Sequence, residues 1–90
     1  MAKYTEGECA RVVWLDSASL GGWHYDLSKF GAKVIESVGF VCALTDNSLI
    51  LANSRSDSGG VIHPIAVPFC CILEYKSIEL RPIPSHIQSK

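Results

Sequence analysis

The 90-residue sequence is poor in charge and has no long uninterrupted apolar segment. Charged residues make up 19% of the chain, below the ~25% that is usual for a globular domain. No stretch approaches the ~18 apolar residues of a membrane-spanning helix. The first six residues, Met-Ala-Lys-Tyr-Thr-Glu, lack the apolar segment of a secretion signal. We therefore expect a cytoplasmic protein that does not enter a membrane.

A basic excess is also missing. The formal net charge is −1 and the isoelectric point is near 6.2. Proteins that bind nucleic acids usually carry a basic face, because neutralising phosphates releases counterions and drives the affinity. Nucleic acid is therefore an unlikely partner on charge alone.

Catalytic and metal-binding motifs are absent as well. There is no Gly-Lys-Ser/Thr phosphate loop, no Gly-x-Ser-x-Gly turn and no Cys-x-x-Cys pair. The four cysteines, at positions 9, 42, 70 and 71, are expected to be free thiols in a reducing cytosol. His24, Asp26 and Asp16 are three possible metal ligands, but such spacing is common by chance. We expect no metal, no cofactor and no enzymatic activity.

Apolar residues are abundant. They form 48% of the chain, which excludes a disordered protein. The length predicts one domain over residues 1–90, with an ordered core at about 9–81, a polar N-terminus and a Pro-containing C-terminal tail. A domain this small cannot bury so much apolar surface by itself, so we expect a homo-oligomer.

Alternating apolar residues predict five short strands and few other elements. A compact polar turn at 45–48 predicts a tight hairpin between the second and third strands, and Gly39 marks a bend in the second. A looser turn at 54–60 precedes the fourth. A proline at position 68 followed by compact residues predicts a 3₁₀ turn before the last strand. The predicted strands are 11–15, 33–44, 49–53, 61–67 and 72–80.

This order predicts a mostly all-β fold, a small five-stranded SH3-like or Sm-like barrel. A long loop or a short helical turn would join strands 1 and 2. A closed barrel also removes the exposed sheet edges that a small domain cannot protect. The alternative is a curved open sheet of four or five strands packed on a helix at residues 23–30.

Two segments carry side chains suited to binding. The loop at 53–60 offers Arg55, whose planar guanidinium matches phosphate or carboxylate, among hydroxyls and glycine amides that suit an anion. The segment at 23–25 has three consecutive rings, which stack on bases. A solvated turn and buried rings are the simpler interpretations. The predicted ligand-binding residues are Trp23, His24, Tyr25, Asn53, Ser54, Arg55 and Ser56, with Asp16 and Ser17 as possible supporting residues.

Several blocks resemble a group of short, uncharacterised phage and prophage proteins. The resemblance spans roughly residues 12–80 and implies modulation of a host process, such as counter-defence, without implying a ligand. The blocks are Val13-Trp14-Leu15-Asp16-Ser17, Gly22-Trp23, Ser37-Val38-Gly39-Phe40, Asp46, Leu49-Ile50-Leu51-Ala52 with Ser54, and Val67-Pro68 followed by Ile72.

Two functions fit these features. The first is an oligomeric sponge that sequesters a small anionic, nucleotide-like molecule, in a phage context a host immune signal. The second is an SH3-like or Sm-like module that binds a host protein or single-stranded RNA. Neutral net charge favours the first function, since one small anion needs only a local positive site.

Overall fold

A computed structural model describes residues 3–17 and 32–87 of the chain, and the structural statements below refer to those residues. The elements in chain order are β1 (Cys9–Ser17), β2 (Ala32–Leu44), β3 (Ser48–Ala52), β4 (Ser54–Arg55), β5 (Val61–Ile62), β6 (Ile65–Pro68), a 3₁₀ turn (Phe69–Cys71), β7 (Ile72–Ile78) and a second 3₁₀ turn (Ser85–Ile87). Within these residues, no helix is long and apolar enough to span a membrane.

The strands form one antiparallel five-stranded sheet in the order β6-β3-β2-β1-β7, and β4 and β5 form a separate hairpin. The predicted mostly-β fold is therefore confirmed. The two outer strands, β6 and β7, do not pair with each other in the part of the chain described. The sheet is accordingly not closed by hydrogen bonds.

The hairpin between β2 and β3 is formed as predicted. The amide of Thr45 donates to the carbonyl of Ser48 at 2.8 Å, and the Thr45 hydroxyl accepts from the Ser48 amide at 3.0 Å. These bonds close the turn and fix the register Leu44↔Leu49. The register shifts between Val41 and Ala43, which adds curvature to β2.

The core lies on one face of this sheet. Val12, Val41, Leu49 and Val67 are fully buried, and Leu51 is 2% exposed. All five belong to strands that are neighbours in the sheet, and a line of aliphatic side chains therefore crosses from β6 to β1.

On β2 the smaller residues face the interior. Gly39 is buried on the same side as Val41, whereas the preceding residue, Val38, is 53% exposed. A Cβ built on Gly39 would lie only 2.5 Å from the carbonyl oxygen of Ala52. Glycine is thus required where β2 passes closest to β3, and the predicted bend has a steric cause.

The predicted single strand at 61–67 is wrong. β5 ends at Ile62 and β6 begins at Ile65, with His63 and Pro64 between them. His63 has a φ of 53°, in the left-handed region, and Pro64 has no amide hydrogen to donate to a ladder. The chain therefore turns there: β5 pairs back on β4, and β6 continues the main sheet.

The predicted 3₁₀ turn before the last strand is confirmed at Phe69–Cys71. It joins β6 to β7, the two opposite edges of the sheet. Four residue steps from Pro68 to Ile72 reach at most about 14 Å. In a flat five-stranded sheet the edges lie about 19 Å apart. The sheet must therefore curl until its edges approach each other at this end.

The N-terminal residues pack against the first 3₁₀ turn and β7. The ring of Tyr4 stacks on Phe69, with centroids 5.2 Å apart, and meets Tyr75 edge-on at 4.9 Å. Farther along, the Gly7 amide donates to the carbonyl of Val41 at 2.8 Å. Residues 4–8 thereby link the 3₁₀ turn, β7 and β2.

The predicted long loop or helical turn between strands 1 and 2, and the alternative helix at 23–30, lie outside the described residues.

Candidate ligand-binding cleft

Arg55 lies at the end of β4 and reaches back over β2. Its guanidinium carbon is 4.3 Å from the centroid of the Phe40 ring, a stacked cation–π arrangement. Its Nη1 donates to the carbonyl oxygen of Gly7 at 2.7 Å. A guanidinium carries five N–H groups, and the bond to Gly7 occupies one of them.

Three open clefts meet at Arg55, with volumes of about 350, 430 and 330 Å³. The first lies within the β4–β5 hairpin, the second runs from Phe40 to the C-terminal segment at 80–83, and the third borders Gly7 and Val41. Each is at the low end of the ~300–1,000 Å³ typical of small-molecule sites. Arg55 is the residue shared by all three, so it is the centre of the candidate site.

The lining is apolar with a few charges. Ile62 and Ile83, each 59% exposed, and Leu80, 51% exposed, stand on the walls of the first two clefts. Arg81 adds a second cation to the 430 Å³ cleft, which Asp57 also lines. A ligand there would meet apolar side chains beside two guanidinium groups and one carboxylate.

The turn after Arg55 satisfies much of its own hydrogen bonding. The Ser56 amide donates to the Gly60 carbonyl at 2.8 Å, and the Gly59 amide donates to the Ser56 carbonyl at 3.1 Å. The Ser56 hydroxyl accepts from the Gly60 amide at 2.9 Å and lies 3.0 Å from the Ser58 hydroxyl. The hydroxyl and amides proposed to surround an anion are therefore engaged in forming the hairpin.

The structure brings together one group of the predicted residues. Ser54, Arg55 and Ser56 line the 350 Å³ cleft, and Asn53 precedes them as an exposed residue.

A second group of predicted residues, Asp16 and Ser17, is not brought to Arg55. Asp16 and Ser17 are at the far end of β1. Cys9 pairs with Phe40, so Asp16 lies about 23 Å along the strand from the Arg55 site. Trp23, His24 and Tyr25 lie outside the described residues.

Phe40, Gly7, Arg81 and the apolar tail were not identified from the sequence as parts of a site. Their contributions come from tertiary packing. The Phe40 ring stacks on Arg55, the Gly7 carbonyl accepts a hydrogen bond from Arg55, and the segment at 80–83 forms a wall of the cleft. The alternation of β2 places Phe40 on one face but does not show that a loop arginine covers it.

A second polar cluster joins the N-terminal segment to β7. The Glu8 carboxylate accepts from the Ser77 hydroxyl at 2.6 Å and from the Tyr75 hydroxyl at 2.8 Å. These bonds favour the charged carboxylate and lower the pKa of Glu8. Burial, with the bond to Glu8, raises the pKa of Tyr75 to about 12. The cluster is a structural tie, since both groups are already paired.

The four cysteines are free thiols. Cys70 and Cys71 have their sulfur atoms 3.9 Å apart in the first 3₁₀ turn. Burial, followed by the hydrogen bond between the Cys71 and Cys70 thiols, raises the pKa of the Cys71 thiol. A thiol with a raised pKa has little reactive thiolate at neutral pH. In residues 3–17 and 32–87, no group of three or more His, Cys, Asp or Glu is placed to hold a metal ion.

Comparisons of the chain with models of protein families, with curated protein sequences and with solved structures found no match.

Proposed function

We propose that this chain is a non-enzymatic binding protein that holds a small anionic, nucleotide-like molecule in the cleft at Arg55. The observation that carries the proposal is the stacking of Arg55 on Phe40 at the meeting point of three clefts. The ring and the Gly7 carbonyl orient the guanidinium, so little side-chain entropy remains to be lost when an anion binds.

The chemistry of the walls favours a molecule with both a ring and a phosphate. Arg55 and Arg81 supply charged donors on one cleft, and bidentate arginine–phosphate bonds are among the strongest hydrogen bonds in proteins. Leu80 and Ile83 supply an apolar surface for a planar base beside them. A ligand with only a phosphate would not contact the apolar side chains, and a ligand with only a ring would not bond to the arginines.

Sequestration, rather than turnover, is the mode that we propose. The clefts are lined by no histidine within the described chain, and their one cysteine, Cys42, donates to the carbonyl of Phe40 at 3.4 Å. The resemblance to phage proteins extends the proposal to a cytoplasmic sponge for a host immune signal.

The finer fold assignment is part of the same proposal. We regard the curved sheet as a partly closed SH3-like or Sm-like barrel. The order β6-β3-β2-β1-β7 and the 3₁₀ turn between the edge strands support it. Such barrels bind ligands through loops at their rim, where the β4–β5 hairpin stands.

The proposal is tested by mass spectrometry and calorimetry. Native mass spectrometry of the protein as purified should show an added mass of a few hundred daltons that is lost on denaturation. Titration with adenosine monophosphate should then give saturable binding that Arg55→Ala weakens about 10- to 100-fold, the range for losing a charged hydrogen bond. Arg55→Lys should be weakened less, because it keeps the charge.

Lys33→Ala is the matched control, because it removes one cation about 23 Å from Phe40 along β2. It should bind as the unchanged protein does. The proposal is contradicted if the purified protein carries no added molecule and binds no nucleotide, or if a correctly folded Arg55→Ala variant binds the nucleotide as tightly as the unchanged protein.

A protein-interaction module is the second candidate function, favoured by the exposed side chains of Ile62, Leu80 and Ile83 around the same cleft. Docking on apolar surface is insensitive to salt, whereas binding of a small anion or single-stranded RNA weakens as salt rises. Binding of a host protein that persists in high salt and is lost in Ile62→Asp, but not in Arg55→Ala, would favour the module.

A further inference from the structure

We infer that two copies of this chain pair edge to edge through β7, antiparallel and centred on Tyr75. This inference is independent of the Arg55 cleft and concerns a different strand.

β7 is the longer of the two outer strands of the sheet. It pairs with β1 on one side, and no described strand pairs with its other side. An outer strand presents unpaired N–H and C=O groups, which a second chain can bond. The opposite outer strand, β6, has only four residues and is bounded by Pro64 and Pro68, which cannot donate. β7 has seven residues and no proline.

Symmetry restricts how β7 can pair with itself. A twofold axis perpendicular to the sheet makes the two strands antiparallel and sets residues of the same face opposite each other. Centring the axis on Tyr75 overlaps all of Ile72–Ile78 with the same segment of the copy. Glu74 then lies opposite Lys76 of the partner subunit, and the pair occurs twice.

The neighbouring registers are excluded by charge. Centring the axis on Glu74 would set that carboxylate against its own copy, and centring it on Lys76 would do the same for the ammonium. Like charges directly opposite in a strand pair are destabilising. The register that gives full overlap is therefore also the one that pairs opposite charges.

The charges already present on β1 strengthen this argument. Arg11 lies directly opposite Lys76, so two cations are neighbours across the β1–β7 pair. The ion pairs of Arg11 are with Glu36 at 2.6 Å and Glu74 at 3.4 Å. In the dimer, Glu74 of the partner subunit lies beside Lys76. This carboxylate offsets the repulsion between Lys76 and Arg11, which are opposite each other in the β1–β7 pair.

Apolar contact adds to the charge pairing. The register shift in β7 turns Ile72 toward the core of its own chain, so Leu73 is the apolar side chain available at that end of the strand. Leu73 is 56% exposed in the single chain, at the register shift of β7 against β1. Pairing would cover part of that side chain.

Charge exchange tests the interface. Sedimentation velocity or native mass spectrometry should find the unchanged 9.8 kDa chain as a dimer at micromolar concentration. Lys76→Glu sets two glutamates against each other, and Glu74→Lys sets two lysines against each other. Each variant alone should dissociate at least about tenfold more readily.

Mixing the two variants restores both opposite-charge pairs, so an equimolar mixture should form a mixed dimer. Lys3→Glu, the same charge change in the exposed N-terminal segment, is the control and should remain dimeric. Circular dichroism checks that each variant is folded. A monomeric unchanged protein, or a Lys76→Glu variant that assembles as tightly as the unchanged chain, would overturn the inference.

Discussion

Gly39 allows β2 and β3 to approach each other closely because it has no side chain. Its ideal Cβ position lies 2.5 Å from the Ala52 carbonyl oxygen and 3.1 Å from Cγ of Leu51. The first of these neighbours is backbone of the paired strand, so it cannot move without disturbing the β2–β3 ladder. The close approach is what lets β2 bend over the small interior.

Gly39→Ala is therefore expected to lower the free energy of unfolding by about 1–3 kcal/mol, the usual cost of overpacking. Urea denaturation followed by tryptophan fluorescence measures it. Gly60→Ala is the control, because the nearest atom to its Cβ, the Ser56 hydroxyl at 3.3 Å, belongs to a side chain. Equal stability of Gly39→Ala and the unchanged protein would show that the strands can separate at little cost.

Arg55 and Phe40 show what the sequence reveals about a site and what it does not. An arginine in a Ser- and Gly-rich turn is visible as a potential anion contact. The guanidinium stacks on Phe40, 15 positions earlier, because the β4–β5 hairpin folds over β2, and the sequence does not show this. The same loop engages the Ser56 hydroxyl and the Gly60 amide with each other, as in the simpler interpretation of the segment as a turn.

Elements formed by local signals were predicted well. The β2–β3 hairpin follows from a polar turn between alternating strands, and the 3₁₀ turn follows from Pro68 and the compact residues after it. The segment at 61–67 was predicted as one strand because apolar residues stand on both sides of His63 and Pro64, and a proline is tolerated at a strand edge or a bulge. Its division depends on the backbone of His63, whose positive φ is rare outside glycine.

The N-terminal segment could not be predicted to pack, because its partners are remote in sequence. Tyr4 contacts Phe69 and Tyr75, more than 60 positions away. A polar segment with one tyrosine predicts an N-terminus that does not pack on the fold. Its packing becomes evident only when the fold brings Phe69 and Tyr75 together.

Tyr4→Ala should lower the free energy of unfolding by about 1–3 kcal/mol, since it removes a partly buried ring and two aromatic contacts. Tyr4→Phe keeps the ring and should stay close to the unchanged protein. Thermal unfolding by circular dichroism compares the two variants. A Tyr4→Ala protein that melts with the unchanged one would show that the segment is not docked in solution.

At the scale of the whole molecule, Glu8 connects the first residues of the chain to its last strand. Its pKa is lowered in the folded protein, chiefly by the Ser77 hydroxyl and then by that of Tyr75. A lowered folded pKa stabilises the protein above the unfolded pKa of about 4.3, and the stabilisation is lost as pH falls through the folded value.

The melting temperature should accordingly fall between about pH 5 and pH 3. Glu8→Gln should be less stable than the unchanged protein at pH 7, with the difference shrinking as the pH decreases. Removing one exposed charge by Glu79→Gln is the control and should change the pH 7 value little. A difference in melting temperature between Glu8→Gln and the unchanged protein that stays the same from pH 7 to pH 3 would contradict the assigned role of Glu8.

The pairing of β1 with β7 also has a consequence for the order in which the protein can fold on the ribosome. Cys9 is in register with Ile78, so the first and last strands of the sheet meet only after nearly the whole chain has been synthesised. Closing so long a loop is entropically costly and slows folding. The hairpin of β2 and β3 can form early, while the edge of β1 that pairs with β7 stays unpaired. A nascent chain halted before residue 72 would therefore expose β1 to any chaperone or neighbouring chain that binds free strands.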